Sequence, residues 1–123
     1  PDFAKAHNNL GSAVFSIKKT EEAISHYKMA IKLKPDYAEA YNNLGGALFH
    51  AKMTEEAIDY YKEAIRIRPN FVLAHNNLGN ALLQKGEMKE AIDHYRKTLK
   101  LRPDLVAAQK NLETALLLSE KLK

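Results

Sequence analysis

Residues 38–69 read AEAYNNLGGALFHAKMTEEAIDYYKEAIRIRP, and the order of small, apolar and charged side chains in this stretch decides the fold. Leu44, Ala47, Leu48 and Ala51 fall on one face at helical spacing, and Ala57, Ile58, Tyr61, Ala64 and Ile65 do the same between Glu55 and Ile67. Two amphipathic helices are predicted, 38–51 and 55–67. Only Lys52-Met53-Thr54 separates them, a connection too short for anything but antiparallel neighbours.

The same pattern recurs on both sides of this stretch. Pro1, Pro35, Pro69 and Pro103 stand 34 residues apart, and the same interval carries Leu10, Leu44, Leu78 and Leu112; Gly11, Gly45 and Gly79; Ala23, Ala57 and Ala91; and Tyr27, Tyr61 and Tyr95. A fixed period of this length marks an array of supersecondary units. Counting positions from the third residue after each proline gives three repeats, 4–37, 38–71 and 72–105. Residues 1–3 then read as the remnant of a preceding repeat and 106–123 as a C-terminal capping helix. Lys18-Lys19-Thr20 and Gly86-Glu87-Met88 are the corresponding turns of the outer repeats. Asp2, Asp36, Asn70 and Asp104 follow the prolines, where an oxygen-bearing side chain is expected to cap the next helix. The fold class is all-α, an α-solenoid of antiparallel helix pairs.

Composition narrows the function. Of 123 residues, 46% are apolar, 28% are charged and none is Cys, which excludes a disulfide scaffold, a thiolate metal site and a cysteine nucleophile together. Apolar runs such as Phe71–Ala74 and Ala115–Leu118 fall far short of the roughly 20 residues that span a bilayer, so no membrane insertion is expected and a soluble, cytoplasmic protein is. The net charge of +4 is too mild to argue for nucleic acid. No His-Glu-x-x-His, glycine-rich phosphate loop or Gly-x-Ser-x-Gly elbow occurs. His7 and His75 share one repeat position and His26 and His94 another; equivalent residues two repeats apart should lie about 20 Å from each other, given helix spacings of 8–10 Å. They are expected to fill aromatic-sized slots that Tyr41 and Tyr60 fill in the middle repeat. No metal, cofactor or catalytic residue is expected.

The residues quoted so far resemble the tetratricopeptide repeat. Leu-Gly at positions 7–8, Ala at 20, Tyr at 24, Ala at 27 and Pro at 32 carry the resemblance over the whole chain. His7, Tyr41 and His75 stand where the family often has Trp, Thr98 replaces the third Ala of position 27, and Glu113 replaces the glycine in the last segment. The resemblance implies a protein-interaction module whose first helices line a concave groove through positions 2, 5, 6, 9, 12 and 13.

Positions 5 and 6 of that groove read Asn8-Asn9, Asn42-Asn43, Asn76-Asn77 and Lys110-Asn111. Seven asparagines inside helices cost roughly 3–5 kcal/mol relative to alanine, a large fraction of a small domain's stability. A carboxamide offers donors and an acceptor to any extended peptide backbone. First helices about 10 Å apart match about three residues of extended chain at roughly 3.3 Å each. The phrase His-Asn-Asn-Leu-Gly is similar to repeats of the O-GlcNAc transferase superhelix and of prokaryotic arrays, in which the position-6 asparagine holds peptide backbone. Transferred here, that ladder is Asn9, Asn43, Asn77 and Asn111. The alternative use of these residues is to hydrogen-bond neighbouring helices and stiffen the stack.

Flanking the ladder, position 12 is Phe15, Phe49, Leu83 and Leu117, and position 9 is Ser12, Gly46, Asn80 and Thr114, so specificity would rest with a nearly neutral surface. Relatives that clamp a carboxylate need Lys at position 5 of one repeat with Asn at position 9, and Lys and Arg on the first helix of the third repeat; those places are held here by Asn8, Ser12, Leu73 and Asn77, so an acidic C-terminal peptide is not the expected ligand. The peptide-binding candidates are Asn8, Asn9, Ser12, Phe15, Asn42, Asn43, Phe49, Asn76, Asn77, Asn80, Leu83 and Asn111.

Two competing readings remain. Lys28, Lys32, Lys34, Lys62, Arg66, Arg68, Arg96, Lys100 and Arg102 form three basic rows near the ends of the second helices. They either complement helix dipoles and pair locally with Asp59 and Asp93 or make a polyanion-binding stripe, for which interleaved aromatic residues are missing. The other alternative is a self-associating scaffold. The chain lacks an initiator Met and starts at a repeat's proline, so residue 1 reads as a cut within a longer protein, and Phe3, Val14 and Ile17 should expose apolar surface that supports weak self-association. No turn signal follows Leu118, and Lys110, Glu113, Glu120, Lys121 and Lys123 should keep the far side of the last helix wet, as at a natural C-terminus.

Overall fold

The computed structural model describes residues 2–122. These contain seven helices and no strand: α1 (Phe3–Ser16), α2 (Thr20–Leu33), α3 (Ala38–His50), α4 (Thr54–Ile67), α5 (Val72–Lys85), α6 (Met88–Leu101) and α7 (Val106–Lys121). The architecture is the all-α solenoid of helix pairs that the period implies. The helices fall into two compact units that divide between Pro69 and Asn70. In the first, α1 packs on α2, α3 on α4, and α2 on α3; in the second, α6 packs on both α5 and α7.

Each pair is held by the same close approach. A Cβ added to Gly11 would lie 2.7 Å from Tyr27 Cε1, and one added to Gly45 or Gly79 would lie 2.6 Å from the same ring atom of Tyr61 or Tyr95. The tyrosine ring thus occupies the space of the missing side chain, and any larger residue must displace it. Ala23, Ala30, Ala57, Ala64 and Ala91, all fully buried, extend this contact along the second helices. Thr98 fits the same slot because its hydroxyl donates to the carbonyl of His94 at 2.9 Å, one turn back.

Capping differs from the expectation. Asp2 does cap α1, accepting from the Lys5 amide at 3.0 Å. At α3, α5 and α7 the N-cap is Tyr37, Phe71 or Leu105, with no side-chain cap bond, so Asp36, Asn70 and Asp104 lie one residue too early. A turn intervenes, closed by the Tyr37 amide on the Lys34 carbonyl at 3.1 Å and by the Leu105 amide on Arg102 at 3.3 Å. The turn inside each pair places Lys18, Lys52 or Gly86 at a φ of 67°, 65° or 91°. Only the third pair uses glycine for this left-handed position.

The last helix also departs from expectation. Lys110, Glu113, Glu120 and Lys121 are exposed, but so are Leu116, Leu117, Leu118 and Leu122, while Ala108 and Ala115 alone are fully buried in α7. The far side of α7 is therefore apolar as well as charged, because the contacts of α7 with α6 and α5 leave it uncovered among the described residues. Lys123, like Pro1, lies outside the described residues. At the other end, Phe3 and Ile17 are exposed and Val14 is half-buried.

Candidate functional site

The first helix of each pair contributes the asparagines, and helical geometry separates them. Adjacent residues point about 100° apart around the axis. Asn8, Asn42 and Asn76 turn inward and are only 7–9% exposed. Asn9 is exposed, and Asn43, Asn77 and Asn111 are half-buried. The seven asparagines of these two positions thus split into an inner row at position 5 and an outer row at position 6.

The two rows are bonded to each other between successive first helices. In the first unit Asn43 Nδ2 donates to Asn8 Oδ1 at 3.0 Å, and Asn8 Nδ2 in turn donates to Tyr37 Oη at 3.3 Å. In the second unit Asn111 Nδ2 donates to Asn80 Oδ1 at 3.0 Å and to Asn76 Oδ1 at 3.5 Å. These bonds satisfy buried carboxamides and offset part of the helix-propensity cost. They leave Oδ1 of Asn43 and of Asn111 without a partner among the described residues, and Asn9 uses neither end of its amide.

Position 9 closes onto the tyrosine at the pair interface. Ser12 Oγ and Tyr27 Oη are 2.9 Å apart, and Tyr95 Oη donates to Asn80 Oδ1 at 2.6 Å. Burial raises the Tyr27 phenol above its ordinary value, an effect that Ser12 partly reverses, and pushes Tyr95 up to about 12. Phe15, Phe49 and Leu83 are half-buried at position 12, and Phe15 meets His50 edge-on with ring centroids 5.4 Å apart. Among the named lining residues none is a lysine or arginine except Lys5 at position 2 and Lys110 at position 5.

Sequence reading missed the histidine partnerships. The 34-residue period relates histidines of different repeats, whereas His7 meets His26 and His75 meets His94 within a pair, with Nδ1···Nδ1 distances of 3.2 and 3.1 Å. Ring centroids stand 5.4 and 5.3 Å apart, well beyond the N···N distances, so the nitrogens lie between the rings and face each other. Such a contact needs one proton on one of the two Nδ1 atoms. Tyr41 and Tyr60 take this place in the middle pair, with centroids 6.1 Å apart. The nineteen-residue spacing common to all three pairs was the available signal. Among the described residues no group of three or more His, Cys, Asp or Glu gathers as for a metal ion.

The basic rows are partly neutralised. Arg66 donates to Glu63 Oε1 through Nη2 at 2.5 Å and Nε at 2.9 Å, and Arg68 pairs with Glu39. The Arg66 hydrogen bond holds the Glu63 carboxyl below the usual carboxylate range. Burial pushes Glu39 up, but the Arg68 hydrogen bond and charge and the local N–H outweigh it, and the net direction is down. Lys34 Nζ sits 4.9 Å from the centre of the Tyr37 ring, and Arg102 lies 3.8 Å from Asp104.

Comparison with known proteins adds the family. A family model described as tetratricopeptide repeat matches residues 2–70, and a second with the same description matches residues 72–105. No curated protein matches the sequence. Among solved structures, the first TPR of Spaghetti (RPAP3) bound to the HSP90 peptide SRMEEVD is similar with a TM-score of 0.92 and 23% identity, over 98% of this chain and 93% of that one. The Arabidopsis OM64 TPR domain gives 0.90 and 25% identity, over 92% and 93%. The Sgt2 TPR domain from Aspergillus fumigatus gives 0.92 and 22%, over 97% and 80%.

Proposed function

Because this chain belongs to the tetratricopeptide repeat family, we propose that it is a non-enzymatic protein-interaction module that holds an extended peptide by its backbone along the first helices. The observation that carries this reading is the unspent polarity of Asn9, Asn43 and Asn111 in the outer row. Asn43 and Asn111 are oriented by bonds to inner-row or position-9 acceptors while their own Oδ1 atoms meet no partner among the described residues, and neither end of the Asn9 amide meets one. Asn77 holds the same position in the third pair. A side chain already fixed by one hydrogen bond loses less entropy when it takes a second.

The ligand chemistry follows from the surface. Neutral amides flanked by Phe15, Phe49 and Leu83 favour an uncharged extended segment. The RPAP3 relative was solved with a peptide ending in acidic residues, but the places that grip such a terminus in carboxylate-clamping relatives are Asn8, Ser12, Leu73 and Asn77 here, which supply no cation.

The test starts from random twelve-residue peptides displayed against the whole chain, the tightest binder being made synthetically. Replacing Asn9, Asn43 and Asn77 with Ala should abolish its binding, and replacing Lys32, Arg66 and Lys100 should not. Loss of binding in the basic variant, with a steep dependence on salt, would establish the polyanion reading instead. A second reading rests on the exposed row made by Phe3 and Leu10 of α1 and Ile17 at its C-cap, whose seven-residue spacing puts them on one face. Weak self-association through it predicts a mass that rises toward millimolar concentration in sedimentation equilibrium, and a strictly monomeric chain rejects it.

A further inference from the structure

Three tyrosines, Tyr27, Tyr61 and Tyr95, occupy the same place against the glycine of their pair, yet only two have a hydrogen-bond partner. Ser12 serves Tyr27 at 2.9 Å and Asn80 serves Tyr95 at 2.6 Å. In the middle pair the corresponding residue is Gly46, which has no side chain to offer. Tyr61 is 2% exposed, and its hydroxyl pairs with nothing among the described residues. A hydroxyl that is paired in both sister pairs and has no protein partner here calls for an explanation.

The surroundings of the hydroxyl supply one. Among the described residues no sealed side-chain nitrogen or oxygen lacks a partner, so the Tyr61 oxygen keeps a narrow opening to solvent. A Cβ built on Gly46 would find Tyr61 Oη at 3.9 Å and no other atom within 4 Å. Above Gly46 there is therefore a notch the size of a small side chain, filled by Ser12 or Asn80 in the sister pairs and floored by the phenol. Residues three and four apart share a helix face. Asn42, Asn43, Phe49 and His50 thus flank the notch on α3, beside the outer asparagine row, and none of the four is a lysine or arginine.

We propose that Tyr61 Oη, reached over Gly46, donates a hydrogen bond to a main-chain carbonyl of the bound peptide and sets the peptide's register in the groove. This rests on the backbone-capture reading above and deepens it. The missing Cβ lets a peptide backbone approach the helix more closely than at Ser12 or Asn80. Burial raises the Tyr61 phenol far above its ordinary value, so it remains a donor throughout the physiological range. With no lysine or arginine among the four residues that flank it on α3, a neutral carbonyl suits the notch better than a carboxylate.

The experiment uses the selected synthetic peptide and the whole chain. Tyr61→Phe removes only the hydroxyl and breaks no internal bond, and Gly46→Ser installs the partner that Tyr27 already has while improving helix propensity. Both should fold with unchanged or higher thermal midpoints and bind the peptide about fivefold more weakly, the loss of one net hydrogen bond. A thioamide scan should find one peptide carbonyl whose replacement weakens binding to the parent chain and has no effect on the Tyr61→Phe variant. Tyr95→Phe, whose hydroxyl is already paired, should bind like the parent. If both middle-pair variants bind like the parent while Asn43→Ala loses the peptide, the notch holds only water and the proposal fails, leaving backbone capture intact. If no peptide is recovered, or the triple asparagine variant still binds it, backbone capture and the notch fall together.

Discussion

Helices α1 and α3 have nearly the same sequence phase and different fates. Leu10 and Leu44 occupy one repeat position, yet Leu10 is 46% exposed and Leu44 is fully buried. Their glycines behave alike, since Gly11 and Gly45 both meet the tyrosine of their own partner helix at less than ordinary contact distance. The contact inside a pair is thus identical at the two sites, and the contact with a preceding helix exists only for α3, which packs on α2. A helix pair of this kind makes half of its core by itself and borrows the other half from a neighbour.

The largest expected effect breaks the borrowed half. Leu44→Ala should cost about 3 kcal/mol of unfolding free energy, within the range for a fully buried leucine, and Leu10→Ala less than about 1 kcal/mol because most of the removed surface is already wet. Urea denaturation of both variants measures the contrast, and equal losses would show that α1 is covered in solution.

The internal half is tested by Gly11→Ala and Gly45→Ala. Each drives a Cβ into a tyrosine ring, and each should cost about 1–3 kcal/mol as overpacking, despite alanine's better helix propensity. Here the two sites should agree. A much smaller cost at Gly11 would mean that Tyr27 yields at the open end.

Alkaline pH separates the tyrosines' internal contact from everything else. Tyr95 has a folded value of about 12 against an ordinary 10.0, and Tyr27 and Tyr61 are also raised. The folded chain therefore holds these protons more tightly than the unfolded chain. Their stabilising contribution is complete below about pH 10, and above it stability falls by up to about 1.4 kcal/mol per pH unit for each such group, until the folded value is passed. Tyr95→Phe should make the decline between pH 10 and 12 shallower, and an unchanged slope would assign the decline to other groups.

The smallest effect concerns the turns. Lys18 and Lys52 hold the left-handed conformation that Gly86 holds in the third pair. Lys18→Gly and Lys52→Gly should each stabilise by about 1 kcal/mol, the cost of placing a Cβ in that region. Thermal denaturation of the single variants reads the difference, and destabilisation would mean that the lysine side chains contribute contacts of their own.

The sequence alone determined the helix pairs and their period, because 3.6-residue periodicity and 34-residue recurrence are local properties of the chain. It also located the asparagine rows, since a residue type repeated at one phase returns to one helix face. Only the tertiary structure decided which asparagine of each Asn-Asn pair lies inside, because neighbours one residue apart differ by about 100° around the axis and the adjacent helix selects between them. It likewise brought His7 to His26, left Leu116, Leu117 and Leu118 uncovered, and moved the N-cap of α3 from Asp36 to Tyr37, whose amide closes the preceding turn. The unpaired hydroxyl of Tyr61 belongs to the same class: Gly46 and Tyr61 are fifteen residues apart, and only the packing of α3 on α4 shows that the absence of one side chain leaves the other without a partner.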